Sequence, residues 1–195
     1  MAEKIKIGIH QPNFIPWLPY FHKMSKCDIF VLLTHVQFEK NGFQNRYSLS
    51  SGEWVTKPVY AGLEPIWNKN YVGLDLPDSA ASSGSLVELN TRWIKVIADT
   101  LHIKTKIVDD ALGHETRSND STQRLADIIL QYTPFGCIPV YVTNPNAKDK
   151  YLNENLLTSQ GIEIEYCKCP KDMNLHVFEA FQKWGIEGTI KQLKR

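Results

Sequence analysis

The feature that most constrains this chain is Ile29-Phe30-Val31-Leu32-Leu33, an apolar run with no alternation. A strand wetted on one side alternates, so an unbroken run of this length suits a strand covered on both faces. Such a strand needs helices above and below its sheet, and the flanking sequence has the right pattern for them. Residues 4–9 form a β-type run, residues 17–26 read as a helix after Pro16, and residues 28–34 carry the apolar strand. Further on, Leu89, Trp93, Ile97 and Leu101 recur every fourth residue, as on one helix face. Leu125, Ile128, Ile129 and Tyr132 repeat the helical period behind an Asp120 or Ser121 cap. Strands are expected at 104–108, 137–142 and 162–166, with a helix at 148–157 closed by Gly161. A last helix through Phe178, Phe181 and Trp184 is expected to stop at Gly185. Residues 54–60 read as an edge strand because of Pro58, and 62–84 as a long loop.

Strands alternating with helices predict a three-layer α/β fold: a mainly parallel sheet with helices on both faces, Rossmann-like. At 195 residues, one domain spanning 1–195 is expected. Lys and Arg total 22 against 21 Asp and Glu, a balance that argues against a general phosphate-backbone binder while leaving a specific nucleic-acid substrate open. No apolar run reaches the length of a membrane span and no signal-peptide core opens the chain, so a cytoplasmic protein is expected. Of the four cysteines, Cys27 and Cys137 read as small core residues. Cys167 and Cys169 make a C-x-C without a second pair, so no metal site is expected.

In a parallel sheet, ligands bind outside the carboxyl ends of the strands. His10 closes the first strand and is followed by Gln11 and Asn13; His35 closes the second and is followed by Gln37, Lys40, Asn45 and Arg46. Trp17, Tyr20 and Phe38 are interleaved with them, and aromatic walls with a few polar groups describe a small-molecule cleft. Lys23 lies one helical turn from Tyr20 and is expected to face the same cleft. The phosphate-binding loops G-x-x-x-x-G-K-[ST] and G-x-G-x-x-G are missing, as is the G-x-S-x-G elbow. His102, His114 and His176 read as surface or capping residues, and Asp28 as a capping or pairing one.

Three blocks carry a family resemblance: His10-Gln11-Pro12-Asn13-Phe14-Ile15-Pro16-Trp17 running on to Tyr20-Phe21-His22-Lys23; Asp28-Ile29-Phe30-Val31; and Val36-Gln37-Phe38-Glu39-Lys40 with Gln44-Asn45-Arg46. Together they resemble the WbqC-like protein family. The resemblance implies a bacterial surface-polysaccharide protein of O-antigen type that transfers glycine onto an amino sugar, here from a bacterium or a phage. Three positions depart from the family pattern: Pro19 stands for Gly, Thr34-His35 replaces an Asp that could act as base or metal ligand, and Ser48 opens a divergent stretch. A second likeness, to the first βαβ unit of pantothenate synthetase-type nucleotidylyltransferases, concerns the fold and lacks their H-x-G-H signature.

The expected function is therefore a transferase that forms an amide by moving glycine or a similar acyl group onto an amino group of a sugar or nucleotide-type acceptor. His10, Lys23 and His35 are the catalytic candidates, His10 foremost because an imidazole titrates near neutrality. Gln11, Asn13, Trp17, Tyr20, Gln37, Phe38, Lys40, Asn45 and Arg46 are the substrate-binding candidates. The partners are then a small-molecule donor and that acceptor, and ATP is the cofactor to test. The alternatives are a binding module that has lost catalysis at Thr34-His35, and a nucleotide-dependent ligase or nucleic-acid-modifying enzyme.

Overall fold

The computed structural model describes residues 2–62, 64–72 and 84–195. Five strands, β1 (Lys4–His10), β2 (Ile29–Leu32), β5 (Lys106–Asp109), β6 (Ile138–Thr143) and β7 (Glu163–Tyr166), form one sheet in the order β5-β2-β1-β6-β7. Every pairing in it is parallel, with Ile7 opposite Ile29 and Tyr141 in the registers that centre it. The apolar β2 run has neighbours on both sides and helices on both faces. The expected α/β architecture is what forms.

Side-chain alternation along the strands divides the core in two. Phe30 and Leu32 point to the face covered by α1 (Leu18–Ser25), α2 (Leu86–Thr100) and α5 (Val177–Leu193), where Phe21, Met24, Ile94 and Ala180 are buried. Ile7, Ile9 and Val31 point to the other face, against Leu125, Ile128 and Ile129 of α3 (Ser121–Tyr132) and Leu157 of α4 (Glu154–Ser159). Each of these large apolar side chains contributes roughly 1.5–3 kcal/mol by leaving water. Gly8 lets β1 approach its first helix crossing closely: a Cβ there would lie 2.7 Å from Cys27 Sγ and 2.8 Å from Phe30. Asp120 caps α3 by accepting from the Gln123 amide, as its position predicts.

Several elements differ from the pattern in the sequence. The buried stripe of α2 is Leu86, Asn90, Ile94 and Ile97, leaving Trp93 37% exposed, because a buried polar residue rather than an apolar one marks the face. Asn90 Nδ2 donates to the Pro12 and Gln44 carbonyls at 2.8 and 2.7 Å, and its Oδ1 accepts from Tyr71 at 2.8 Å. The expected strand at 54–60 is only β4 (Trp54–Thr56), paired antiparallel with a short β3 (Arg46–Ser48) that the polar sequence conceals. Helix α4 starts at Glu154 behind an Asn153 cap, later than expected. At Gly185 the last helix turns (φ 67°) and then resumes to Leu193 instead of ending. The loop expected at 62–84 contains a 3₁₀ turn at Ile66–Asn68; its residues 63 and 73–83 lie outside the described ones.

Candidate functional site

After β5 the chain crosses back over β1 to begin β6, so the topological switch point lies between the carboxyl ends of β1 and β6. A cavity of about 460 Å³ opens there. His10 from β1, Asn144 after β6 and Cys167 after β7 form its inner edge. Tyr20, His22 and Lys23 reach it from α1, while Tyr47, Ser48 and Trp54 of the β3–β4 hairpin close its outer side. Asn13 and Trp17 line the loop between β1 and α1.

That loop is held in a costly shape. Ile15 has φ 43°, a region that β-branched residues avoid, and its carbonyl accepts from His176 Nε2 at 2.9 Å. His176 Nδ1 accepts from the Phe178 amide, which fixes a neutral ring at the start of α5, and the ring stacks on Tyr47 at 4.1 Å. Glu179 completes the capping box on the His176 amide at 3.0 Å and also accepts from the Ser50 amide at 2.9 Å and from the Ser50 hydroxyl. Trp17 Nε1 donates to the Ser48 carbonyl at 2.8 Å. The hairpin is thus latched to both α5 and the loop, and the cavity walls are fixed from outside.

The polar groups inside are unusual. Lys23 Nζ donates to the Ile9 carbonyl at 2.9 Å and sits 5.3 Å from the Phe30 ring centroid. Burial pulls its amine from 10.5 down to about 8. Burial, then the Lys23 charge, lowers His10 to about 3, so His10 does not titrate near neutrality as the sequence suggests. Its Nδ1 lies 3.1 Å from the Gln11 carbonyl, which makes Nδ1 the donor and leaves the Nε2 lone pair. Tyr20 donates to the same carbonyl at 3.3 Å and meets the His10 ring edge-on at 4.9 Å. Among the described lining residues there is no carboxylate.

His10, Asn13, Trp17, Tyr20 and Lys23 therefore share one cavity. The other candidates lie elsewhere, each for a definite reason. The Gln11 side chain accepts from Gln44 Nε2 at 2.6 Å. Asn45 is buried and donates to the Lys57 carbonyl at 2.9 Å, holding the hairpin. Arg46 donates to Asn41 and lies 4.3 Å over the Trp54 ring, and it is not among the residues lining the cavity. Phe38 packs against the core beneath the Lys69 amine, and Gln37 and Lys40 are exposed. His35 is drawn toward β5, where Asp110 accepts from the Thr34 and His35 amides at 2.7 and 3.1 Å. Asn144, His22, Cys167, Tyr47 and Trp54 were not predicted site residues; only the position of Asn144 and Cys167 just past strand ends signals them.

The WbqC-like protein family matches this chain over residues 11–66 and 77–184, and the chain belongs to that family. It is 24% identical over 196 residues to the uncharacterized protein Rv1507c of Mycobacterium tuberculosis, an alignment covering 83% of this chain and 81% of that one. No solved structure matches it.

Proposed function

We propose that the switch-point cavity moves glycine or a similar acyl group onto the amino group of a sugar or nucleotide-type acceptor, forming an amide. The observation that carries this reading is Lys23, an amine lowered to about 8 at the inner end of an aromatic-walled cavity. A base of that strength suits removal of a proton from an acceptor ammonium near neutral pH. The acceptor gives that proton to the fraction of Lys23 that is neutral, and its free amine attacks the acyl carbon of an activated donor. The attacking nitrogen releases its second proton to solvent, the tetrahedral oxyanion collapses, the bond to the leaving group breaks, and the Lys23 ammonium gives the first proton to the leaving group. Of the lining amides Asn13, Asn144 and Asn174, Asn13 and Asn144 are the proposed donors to the oxyanion. Trp17, Phe43 and Tyr47 offer flat apolar faces to a sugar ring or a base.

A binding-only reading draws on His10, which is neutral and committed through Nδ1. A thermal-shift titration with nucleotides, nucleotide-linked amino sugars and amino acids tests the site first. An amino-sugar ligand at a hundred times its Kd stabilises the protein by about 2.7 kcal/mol, and Trp17→Ala removes that gain. Equal stabilisation of Trp17→Ala, or none by any amine-bearing sugar, overturns the assignment. Amide formation in wild type that is lost in Lys23→Met separates catalysis from binding alone.

A further inference from the structure

Beside Lys23, the cavity holds a thiol and an imidazole from opposite ends of the chain. The Cys167 amide donates to the Thr143 carbonyl at 2.8 Å, which extends the β6–β7 ladder past its last residue and fixes Cys167 at the carboxyl edge. Its Sγ lies 3.5 Å from Nδ1 of His22, a ring only 3% exposed on α1. Both residues line the cavity, next to the amine that the transfer reading requires. Burial raises the Cys167 thiol, while burial and then the Lys26 charge lower His22. Both shifts keep the proton on sulfur and the ring neutral, so the contact is a thiol donating to an imidazole lone pair. Cys27 contrasts with it: its Sγ donates to the Lys23 carbonyl at 3.2 Å, and burial pushes it up to about 12.

We propose that Cys167 is the acyl-carrying nucleophile of this cavity, with His22 as its base, and that the donor is an activated ester or thioester. The proposal rests on the transfer reading above. The thiol proton passes to His22 Nδ1 as Sγ bonds to the donor's acyl carbon, the donor's ester or thioester bond breaks, and the leaving group takes the proton from His22. The acceptor amine, deprotonated by Lys23, then attacks the Cys167 thioester. The C–S bond breaks, the attacking nitrogen releases its second proton to solvent, the amide leaves, and the Lys23 proton returns to sulfur. Such a two-step route splits one difficult transfer into two easier ones.

The test uses the full chain with p-nitrophenyl acetate as donor and glucosamine as acceptor, read by intact-mass and peptide mass spectrometry. The expected result is one acetyl group on Cys167, released by neutral hydroxylamine, absent from Cys167→Ala and retained by Cys137→Ser. His22→Gln slows the acetylation about a hundredfold at neutral pH, and the deficit narrows in alkali, where hydroxide forms the thiolate directly. An acetyl group on Lys23 or Cys169 instead, no acetylation at all, or a His22→Gln pH profile identical to wild type overturns the proposal. Cys167 acetyl that is lost to water at one rate with or without glucosamine upholds the nucleophile and overturns the transfer reading. Glucosamine amide formed as fast by Cys167→Ala does the reverse.

Discussion

Two polar clusters sit at the carboxyl edge of the same sheet, and they have opposite characters. Over β1 and β6, His10, Lys23, His22 and Cys167 surround open space. Over β2 and β5, Thr34, His35, Asp110 and Arg117 close on one another. Asp110 is 1% exposed; its Oδ1 accepts from Thr34 Oγ1 at 2.8 Å as well as from two amides, and Arg117 Nη1 donates to its carbonyl at 2.6 Å. His35 is packed between Trp67 and His114, with ring centroids at 5.8 and 3.9 Å. The residue types are alike; the topology is not. Adjacent strands whose connections continue in one direction let the following loops pack together, whereas a reversal of strand order parts them and leaves a crevice. Hydrogen-bonding side chains at a strand end become a site only where the chain leaves them room.

The largest expected effect sharpens that contrast on the open side. Lys23→Met removes the proposed base and lowers amide formation by about 10²–10⁴-fold. It leaves stability unchanged or higher, because a lysine whose amine is lowered to about 8 is held charged at pH 7 against the cost of its burial. Turnover and urea midpoints measured on the same preparation check both halves. A Lys23→Met protein that is active but less stable would make this lysine structural and dissolve the comparison.

Asp110→Ala is the matching break on the closed side. It strands two amides and a hydroxyl and leaves Arg117 without its carboxylate 3.5 Å away. A stability loss of about 3 kcal/mol is expected, with the affinity of the cavity for its ligand unchanged. Urea denaturation and a ligand titration decide this. Weakened ligand binding would show that the two clusters act as one.

Acid sharpens the contrast by a smaller amount. Folded His10 stays neutral down to about 3, whereas the unfolded chain takes up that proton below about 6.5. The unfolded state thus binds more protons in this window, so stability falls as pH drops from about 6.5 toward 3. Each such histidine adds at most about 1.4 kcal/mol per pH unit; His22 and His176, also lowered by burial, add to the slope. His10→Gln should flatten the acid limb of stability against pH, measured by urea midpoints. An unchanged limb would mean that His10 is protonated in the folded cavity.

The sheet was legible because burial on both faces writes itself as apolar runs: the 4–9 and 28–34 segments became β1 and β2, parallel neighbours. The hairpin was hidden because Arg46-Tyr47-Ser48 owes its strand to β4 and to the Glu179 latch, not to its own pattern. The sequence pattern makes Gly185 a helix stop, yet a left-handed glycine equally permits a turn between two helical segments. That His10, Trp17, Tyr20 and Lys23 share one cavity was legible because one strand, loop and helix carry them all. Cys167 and His22 were not legible, being 145 residues apart in sequence and brought into contact by the way α1 and the end of β7 meet at the sheet edge.

Arg46 tests the boundary of the open region and carries the smallest expected effect. As a planar, always-charged fork it suits a carboxylate or phosphate, and the sequence placed it among the ligand-binding residues. In the fold, both terminal nitrogens donate to Asn41, and the guanidinium lies over the Trp54 ring while Arg46 itself is not among the residues that line the cavity. Stacking of this kind at a half-exposed position contributes about 0.5–1 kcal/mol. Arg46→Ala should therefore lower the urea midpoint slightly, through a loosened hairpin, and leave ligand affinity within about twofold. Arg46→Lys should recover part of the stacking but not the paired contact to Asn41. If Arg46→Ala instead weakens binding of an anionic ligand tenfold or more, by about 1.4 kcal/mol, at unchanged stability, the guanidinium reaches the ligand over the hairpin rim and the anion-binding side of the cavity extends to Asn41.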